Sequence, residues 1–207
     1  MRVLYIHFQP KDLPEVLEPL EKINCDKLYL RYVKYPDVHK IAMDTIKKHP
    51  EYSHIFWSSG DAVIIKEDFE RLYRIVEKNN YSVLGMACNV DLTKKGMGWI
   101  AASFKKIPLG FENVDWIEKN EVKGIIQVQY SGCPMLIKRE ILVKYPLLGE
   151  KRTGFNTDLI FCHHLLENKI PILVDTSFNI LHLRFKGEMQ VGKKAPEIQF
   201  IPCILNR

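Results

Sequence analysis

The chain has 207 residues, of which 46% are hydrophobic and 27% are charged, and its formal net charge is +5. This size and composition are typical of one globular domain with a sizeable core, and the mild charge allows an anionic ligand without requiring a nucleic acid. The five cysteines are scattered and include no C-x-x-C pair, which argues against a disulfide framework or a zinc ribbon.

The first 90 residues alternate between strand and helix patterns. Strands are predicted at 3–8, 27–33, 54–57 and 81–90, and helices at 12–23, 37–49 and 66–80. Pro19 lies within the apolar stripe of the first helix and should kink or split it, and Asp37 is placed to cap the second. This βαβαβαβ order predicts an α/β fold with a mostly parallel, Rossmann-like sheet and helices on both faces.

The pattern becomes irregular after Asp91. Short strands at 98–104 and 114–118, broken by glycine and proline, predict an antiparallel section. Further strands are predicted at 125–130, 135–137, 170–175 and 180–183, with helices from Arg139 and over 157–168. Lys169 marks a tight turn, and the apolar stretch 198–201 is expected to pack back on the fold. We predict one domain over 1–207, with a nucleotide-binding half (1–90) and an acceptor half (91–207).

The sequence shows no pattern typical of a membrane-spanning helix or of a signal peptide. No apolar run approaches the roughly 20 residues that a membrane-spanning helix needs. Residues 1–7 are predicted to form a strand and carry no cleavage site typical of a signal peptide. We therefore predict a cytoplasmic protein without a transmembrane segment.

The common glycine-rich nucleotide signatures are absent from the sequence. The turn after the first strand contains no glycine, and no G-x-x-x-x-G-K-[ST] stretch occurs. A nucleotide would therefore have to be held by side chains and a metal.

Asp61 is the principal candidate for chemistry. It follows the buried strand 54–57 and the small residues Ser58, Ser59 and Gly60. Ligands of open α/β sheets bind beyond the carboxyl ends of the strands, so Asp61 lies where a ligand is expected. The alternative is that Asp61 is only a turn residue or a cap ahead of the next helix.

Three segments, in order along most of the chain, resemble those of GT-A-fold glycosyltransferases of the family-two type. Residues 56–61 resemble the D-x-D turn of that family, and residues 130–139 resemble its acceptor-side segment. Residues 154–159, followed by Val174-Asp175 and by His182, resemble its E-D and histidine region. The resemblance implies a GT-A fold, a nucleotide-diphosphate sugar as donor, Mn²⁺ or Mg²⁺ as cofactor, and a glycan, lipid or protein hydroxyl as acceptor.

The chain departs from the family pattern at three positions. Ser59 replaces the first aspartate of D-x-D, Thr157 replaces the glutamate of the E-D pair, and Lys169 stands where the family usually has glycine. Fewer carboxylates should weaken metal binding unless the nucleotide supplies ligands of its own.

The resemblance assigns roles to individual residues. Asp61 and His182 would bind the metal, and Asp158 would be the general base of an inverting transfer. Ser131 and Gly132 would contact the acceptor. The predicted nucleotide contacts are His7, Gln9, Asp37, Lys40, Ser59, Gly60, Arg184 and Lys186.

Structural explanations exist for several of these residues, and a plain turn explains Ser131 and Gly132 about as well. An aspartate in the first turn of a helix is favoured by the helix dipole alone, and a single strand histidine is common in protein cores. A solvent-exposed helix face explains His39 and Lys40 equally well.

Two other functions stay open: a non-catalytic nucleotide-sugar or carbohydrate-binding domain, and a sugar nucleotidyltransferase. A nucleic-acid-binding role is the least favoured, since no recognised module or dense basic stripe is present.

Overall fold

A computed structural model describes residues 1–89, 97–104, 114–118, 123–132, 134–147, 157–183 and 190–203. The strands are β1 (Val3–Gln9), β2 (Asp26–Arg31), β3 (His54–Ser59), β4 (Ala62–Val63), β5 (Val83–Asn89), β6 (Met97–Phe104), β7 (Val114–Glu118), β8 (Ile125–Val128), β9 (Tyr130–Ser131), β10 (Met135–Lys138), β11 (Ile172–His182) and β12 (Glu197–Ile201). The helices are α1 (Pro14–Glu21), α2 (Tyr35–Lys48), α3 (Lys66–Asn79), α4 (Arg139–Lys144) and α5 (Thr157–Glu167).

A nine-stranded sheet forms the centre of the fold. Its order is β12-β2-β1-β3-β10-β5-β11-β4, and β8 also pairs with β11. The strands β1, β2 and β3 are parallel, as are β5 and β11, while β10 runs antiparallel between β3 and β5. The predicted α/β fold class is confirmed, and β10 joins the two parallel parts into one sheet that both halves of the chain build.

Helices cover both faces of this sheet, as the alternating pattern predicted. On one face, α2, α4 and α5 pack through apolar residues at helical spacing, among them Val38, Ala42, Ile46, Leu142, Phe161 and Leu165. On the other face, α1 and α3 pack through Leu20, Phe69, Leu72 and Val76.

A second, smaller sheet includes Tyr130 and Ser131, which belong to the segment that resembles the acceptor side of glycosyltransferases. It has the order β7-β6-β9, and both pairings are antiparallel. The predicted antiparallel section is therefore confirmed. Because β9 is followed closely by β10, this small sheet is attached to the middle of the large one.

Two local predictions for the first helices are wrong. The predicted split of α1 at Pro19 does not occur, because the helix is continuous over Pro14–Glu21 and the proline removes one internal hydrogen bond. Asp37 does not cap α2, since the helix begins at Tyr35 with Lys34 as its N-cap. Asp37 lies instead in the first turn, where a carboxylate still interacts favourably with the helix dipole.

The strands predicted at 170–175 and 180–183 form one strand, β11. Its register with β5 is irregular between Asp175 and Ile180. The irregular segment is held by Arg71 of α3, whose guanidinium lies 3.3 Å from the Asp175 carboxylate, and by the Ser177 amide, which donates to the same carboxylate at 2.9 Å. This continuous strand carries His182 to the carboxyl edge of the sheet.

The turn after α5 follows the prediction for Lys169. This residue has a φ of +56°, in the left-handed region that favours glycine. The amides of Lys169 and Ile170 donate to the carbonyls of Leu166 and Leu165, which is the hydrogen-bond pattern of a Schellman helix end.

The stretch 198–201 packs back on the fold through its backbone. It belongs to β12, which pairs antiparallel with β2 at one edge of the sheet. Its side chains are less covered, with Ile198 53% exposed and Phe200 40% exposed. Within the described ranges, no helix combines the length and the apolar character needed to cross a membrane.

Candidate functional site

Asp61 and His182 lie side by side. Asp61 follows β3, and the next two residues form β4, which pairs antiparallel with the end of β11 so that Ala62 is opposite His182. The Leu183 amide donates to the Asp61 carbonyl at 2.7 Å. His182 Nε2 is 3.3 Å from Asp61 Oδ1, and the Asp61 side chain is only 2% exposed.

The Asp61 carboxylate is suited to binding a cation. Its Oδ1 is buried and makes no hydrogen bond to any residue that the structure describes. A buried carboxylate oxygen without such a bond is costly unless a positive charge lies beside it, which a protonated imidazole or a metal ion can provide. A carboxylate oxygen suits Mn²⁺ or Mg²⁺, and an imidazole nitrogen is a common metal ligand.

The protein groups alone do not complete a metal site. Among the described residues, no group of three histidine, cysteine, aspartate or glutamate side chains could hold a metal ion. Hard divalent ions usually take further oxygen ligands from phosphates and water. The pair therefore fits a metal that shares its coordination with a diphosphate, and fits less well a metal that the protein holds alone.

Gly60 packs against the end of β1. A Cβ atom at this position would lie 2.3 Å from the Phe8 carbonyl oxygen and 2.9 Å from Gln9 Cα. No larger residue fits without movement of the backbone. The glycine thus sets the close approach of the Asp61 turn to the end of the first strand, where nucleotide contacts were predicted.

His7 and Gln9 form a buried polar pair on β1. Both side chains have no exposed surface, and His7 Nε2 lies 3.2 Å from Gln9 Oε1. Burial lowers the pKa of His7 to about 4, although the hydrogen bond with Gln9 acts in the opposite direction and raises it. The His7 ring is therefore neutral at neutral pH. The His7 Nδ1 and Gln9 Nε2 atoms make no hydrogen bond within the described part of the chain. Both atoms are buried, so the structure does not present them to a nucleotide.

The structure describes some of the other residues that were predicted to contact the nucleotide and leaves others out. Asp37 and Lys40 are exposed in the first half of α2, which begins just after β2. His39 is not on a solvent-exposed face, because it is buried and stacks on Trp57 with 5.5 Å between ring centres. The Ser59 side chain, Arg184 and Lys186 lie outside the described residues.

Asp158 lies half-buried in the first turn of α5 and contacts a tyrosine. The Tyr130 hydroxyl donates to Asp158 Oδ2 at 2.6 Å. A bond this short is typical of a hydroxyl that donates to an ionised carboxylate. Tyr130 belongs to the segment that resembles the acceptor side of glycosyltransferases, although the sequence analysis assigned no role to this residue.

Ser131 and Gly132 continue from Tyr130. The Ser131 hydroxyl is buried and donates to the Gly132 carbonyl at 3.1 Å. A Cβ at Gly85 of β5 would lie 2.3 Å from that hydroxyl, so the segment packs directly on the large sheet. The Ser131 side chain points inward, and both Ser131 and Gly132 are buried.

The topology brings the two groups of residues to one edge of the sheet. Asp61 and His182 lie at the carboxyl ends of β3 and β11. Because β10 is antiparallel to β3, Gly132 precedes it at this same edge. The helix α5 leads into the start of β11, so its first turn, with Asp158, also lies toward the carboxyl edge.

No family model and no curated protein matches the sequence. Among solved structures, the chain is similar to A197 from STIV, with 17% identity, a TM-score of 0.63, and coverage of 96% of this chain and 94% of A197. It is also similar to S. aureus TarS 1–349 in complex with UDP-GlcNAc, with 12% identity, a TM-score of 0.61, and coverage of 91% of this chain. The corresponding TarS structure with UDP gives 10% identity and a TM-score of 0.53 over 87% of this chain.

These similarities support the fold that the sequence predicted. At such low identity they concern the fold alone, and the chain spans 60% of the TarS chain. The protein has a GT-A-like, Rossmann-type α/β fold.

Proposed function

We propose that the protein is a glycosyltransferase that moves a sugar from a nucleotide-diphosphate donor to a hydroxyl of a glycan, lipid or protein acceptor. The observation that carries this proposal is the 3.3 Å approach of His182 to the buried Asp61 carboxylate at the carboxyl edge of the sheet. The fold adds support, since TarS, a structural neighbour, is known in complex with UDP-GlcNAc and with UDP.

The donor would bind between the Asp61 turn and the ends of β1 and β11. Asp61 Oδ1 and His182 Nε2 would hold a divalent cation together with the diphosphate. When bound, such an ion neutralises the charge that develops on the departing diphosphate. Gly60 would keep the Asp61 turn packed directly against the end of β1, because a side chain at this position would collide with the Phe8 carbonyl oxygen.

Asp158 would serve as the general base. The acceptor oxygen attacks the anomeric carbon, the bond from that carbon to the diphosphate oxygen breaks, and Asp158 takes the acceptor proton. The products are the glycosylated acceptor and a nucleoside diphosphate. A single direct displacement of this kind inverts the anomeric centre.

The first test is donor turnover by the purified protein. Nucleotide sugars that differ in base and sugar are incubated with Mn²⁺, with Mg²⁺ or with a chelator, and release of the nucleoside diphosphate is measured with and without simple acceptors. The proposal expects release with at least one donor and expects Asp158→Asn to reduce it by about 100-fold or more while donor binding persists. Glu67→Gln, which changes an exposed carboxylate in the first turn of α3, is the matched control and should keep full turnover.

Two alternative functions give different results, the first in this experiment and the second in a parallel reaction with a nucleoside triphosphate and a sugar phosphate. A non-catalytic binding domain would bind a nucleotide sugar without releasing nucleoside diphosphate. A nucleotidyltransferase would instead release pyrophosphate from a nucleoside triphosphate and a sugar phosphate. Either result would overturn the proposal.

A further inference from the structure

The hydrogen bond between Tyr130 and Asp158 links a rigid part of the fold to the proposed base. Tyr130 is 1% exposed, and β9 is paired with β6 through Ala101 opposite Tyr130 and Ile100 opposite Ser131. The close packing of Ser131 on Gly85 fixes the same segment from the other side. The phenol is therefore held in place independently of Asp158.

A second contact joins the same two elements one helical turn further along. The Cys162 thiol of α5 lies 3.6 Å from the Ser131 carbonyl oxygen, in donating geometry. Residues four apart on a helix share one face, so Asp158 and Cys162 both meet β9. The first turn of α5 is thus aligned on β9 at two points, and the Asp158 carboxylate has a defined direction.

We propose that Tyr130 is a positioning residue that orients the Asp158 carboxylate and keeps it ionised for proton transfer. By donating to Oδ2, the phenol fixes the direction of the carboxylate. A hydrogen bond to the charged form of a carboxylate also favours that form. This inference rests on the proposed function, in which Asp158 is the base.

The neighbouring titratable groups support this assignment. Burial raises the pKa of the Cys162 thiol, so this neighbour one turn along α5 is neutral at neutral pH. From β11, Asp175 lies on the opposite sheet face, where it contacts Arg71 of α3. From β9, the phenol of Tyr130 is the group that faces Asp158.

The test compares Tyr130→Phe with a matched control elsewhere in the fold. Tyr52 is also buried, 2% exposed, and its hydroxyl donates to the Asp26 carboxylate at 2.8 Å, near the amino ends of the strands. Tyr52→Phe removes the same kind of bond far from Asp158. For Tyr130→Phe we expect kcat to fall about tenfold or more with little change in the KM of the donor, and for Tyr52→Phe we expect unchanged kinetics.

A direct measurement of the Asp158 carboxyl group complements the kinetics. Carbon-13 NMR of labelled aspartate, with Asp158→Asn used for assignment, gives the pKa of Asp158 in each variant. Tyr130→Phe should raise that pKa by about one unit. Replacing Tyr130 with 3-fluorotyrosine, which keeps the shape but is a stronger donor, should lower it.

The outcomes separate this inference from the proposed function. Absence of turnover by the unmodified protein with every donor would overturn both. If Asp158→Asn abolishes turnover but Tyr130→Phe changes neither kcat nor the Asp158 pKa, the proposed function stands and the positioning role is wrong. An equal loss of kcat in Tyr52→Phe would also refute it, because the effect would then be one of general stability.

Discussion

His182 and Asp61 are far apart in the sequence, yet His182 Nε2 lies 3.3 Å from Asp61 Oδ1. They meet because β4, which directly follows Asp61, pairs with the end of β11, which carries His182. The contact is set by backbone pairing, since Ala62 lies opposite His182 and the Leu183 amide binds the Asp61 carbonyl. The short β4 therefore joins the turn after β3 to the end of β11 and creates the candidate site.

Loss of either member of this pair should weaken metal-dependent nucleotide binding. We expect Asp61→Asn and His182→Ala each to reduce the affinity for UDP with Mn²⁺ by about 10- to 100-fold, because a two-residue site leaves the ion few other protein ligands. Titration calorimetry with and without Mn²⁺ measures this. Asp44→Asn, at an exposed position of α2, is the control. Equal affinity of Asp61→Asn and the unmodified protein would contradict the metal assignment.

Gly60→Ala should destabilise the protein through a steric clash. The added Cβ would lie 2.3 Å from the Phe8 carbonyl oxygen, so the backbone of the turn or of β1 must move. We expect a loss of about 1–3 kcal/mol in the free energy of unfolding, measured by urea denaturation. Gly192→Ala is the comparison variant. Gly192 has a φ of +80°, and no atom lies within 4 Å of the added Cβ, so this variant measures the cost of backbone strain without a clash. A larger loss at Gly192 than at Gly60 would show that the clash is relieved easily.

Stability should fall as the pH drops from about 6.5 toward 4, because His7 is held neutral in the fold. Its pKa is lowered from 6.5 to about 4 by burial, so between these values the unfolded chain binds a proton that the folded chain does not. Full stability is present above the unfolded pKa, and the shift corresponds to a loss of about 3 kcal/mol once both states are protonated. His7→Gln should flatten the pH dependence of the urea midpoint. It should not abolish it, because burial also lowers the pKa of His54 to about 4.

Lys169→Gly should stabilise the protein. Lys169 has a φ of +56°, which costs a residue with a side chain about 1–2 kcal/mol and costs glycine almost nothing. Because glycine also gives the unfolded chain more freedom, we expect a net gain of about 0.5–1 kcal/mol in the free energy of unfolding. Lys47→Gly in the last turn of α2 should have the opposite sign. Destabilisation at both positions would show that the Lys169 side chain contributes more than its backbone costs.

Much of the fold could be predicted from local patterns. The strand 54–57, the helix from Lys66 and the strand 114–118 each have a hydrophobic period that identifies the element, and the structure contains all three. The position of Asp61 after a buried strand also followed from the sequence. The error at Asp37 is local in kind, because one or two residues shift the end of a helix more easily than they change its existence.

The sequence by itself determined the alternation of strands and helices, the GT-A-like fold class and the candidate residues Asp61, His182 and Asp158. Only the tertiary structure decided that β10 lies between β3 and β5, that His39 is buried on Trp57, and that Tyr130 binds Asp158. The physical reason is the distance along the chain over which each effect acts. Backbone preference and hydrophobic period act over a few neighbouring residues, whereas the partner of a strand or a phenol is selected by the packing of the whole sheet, which no short segment specifies.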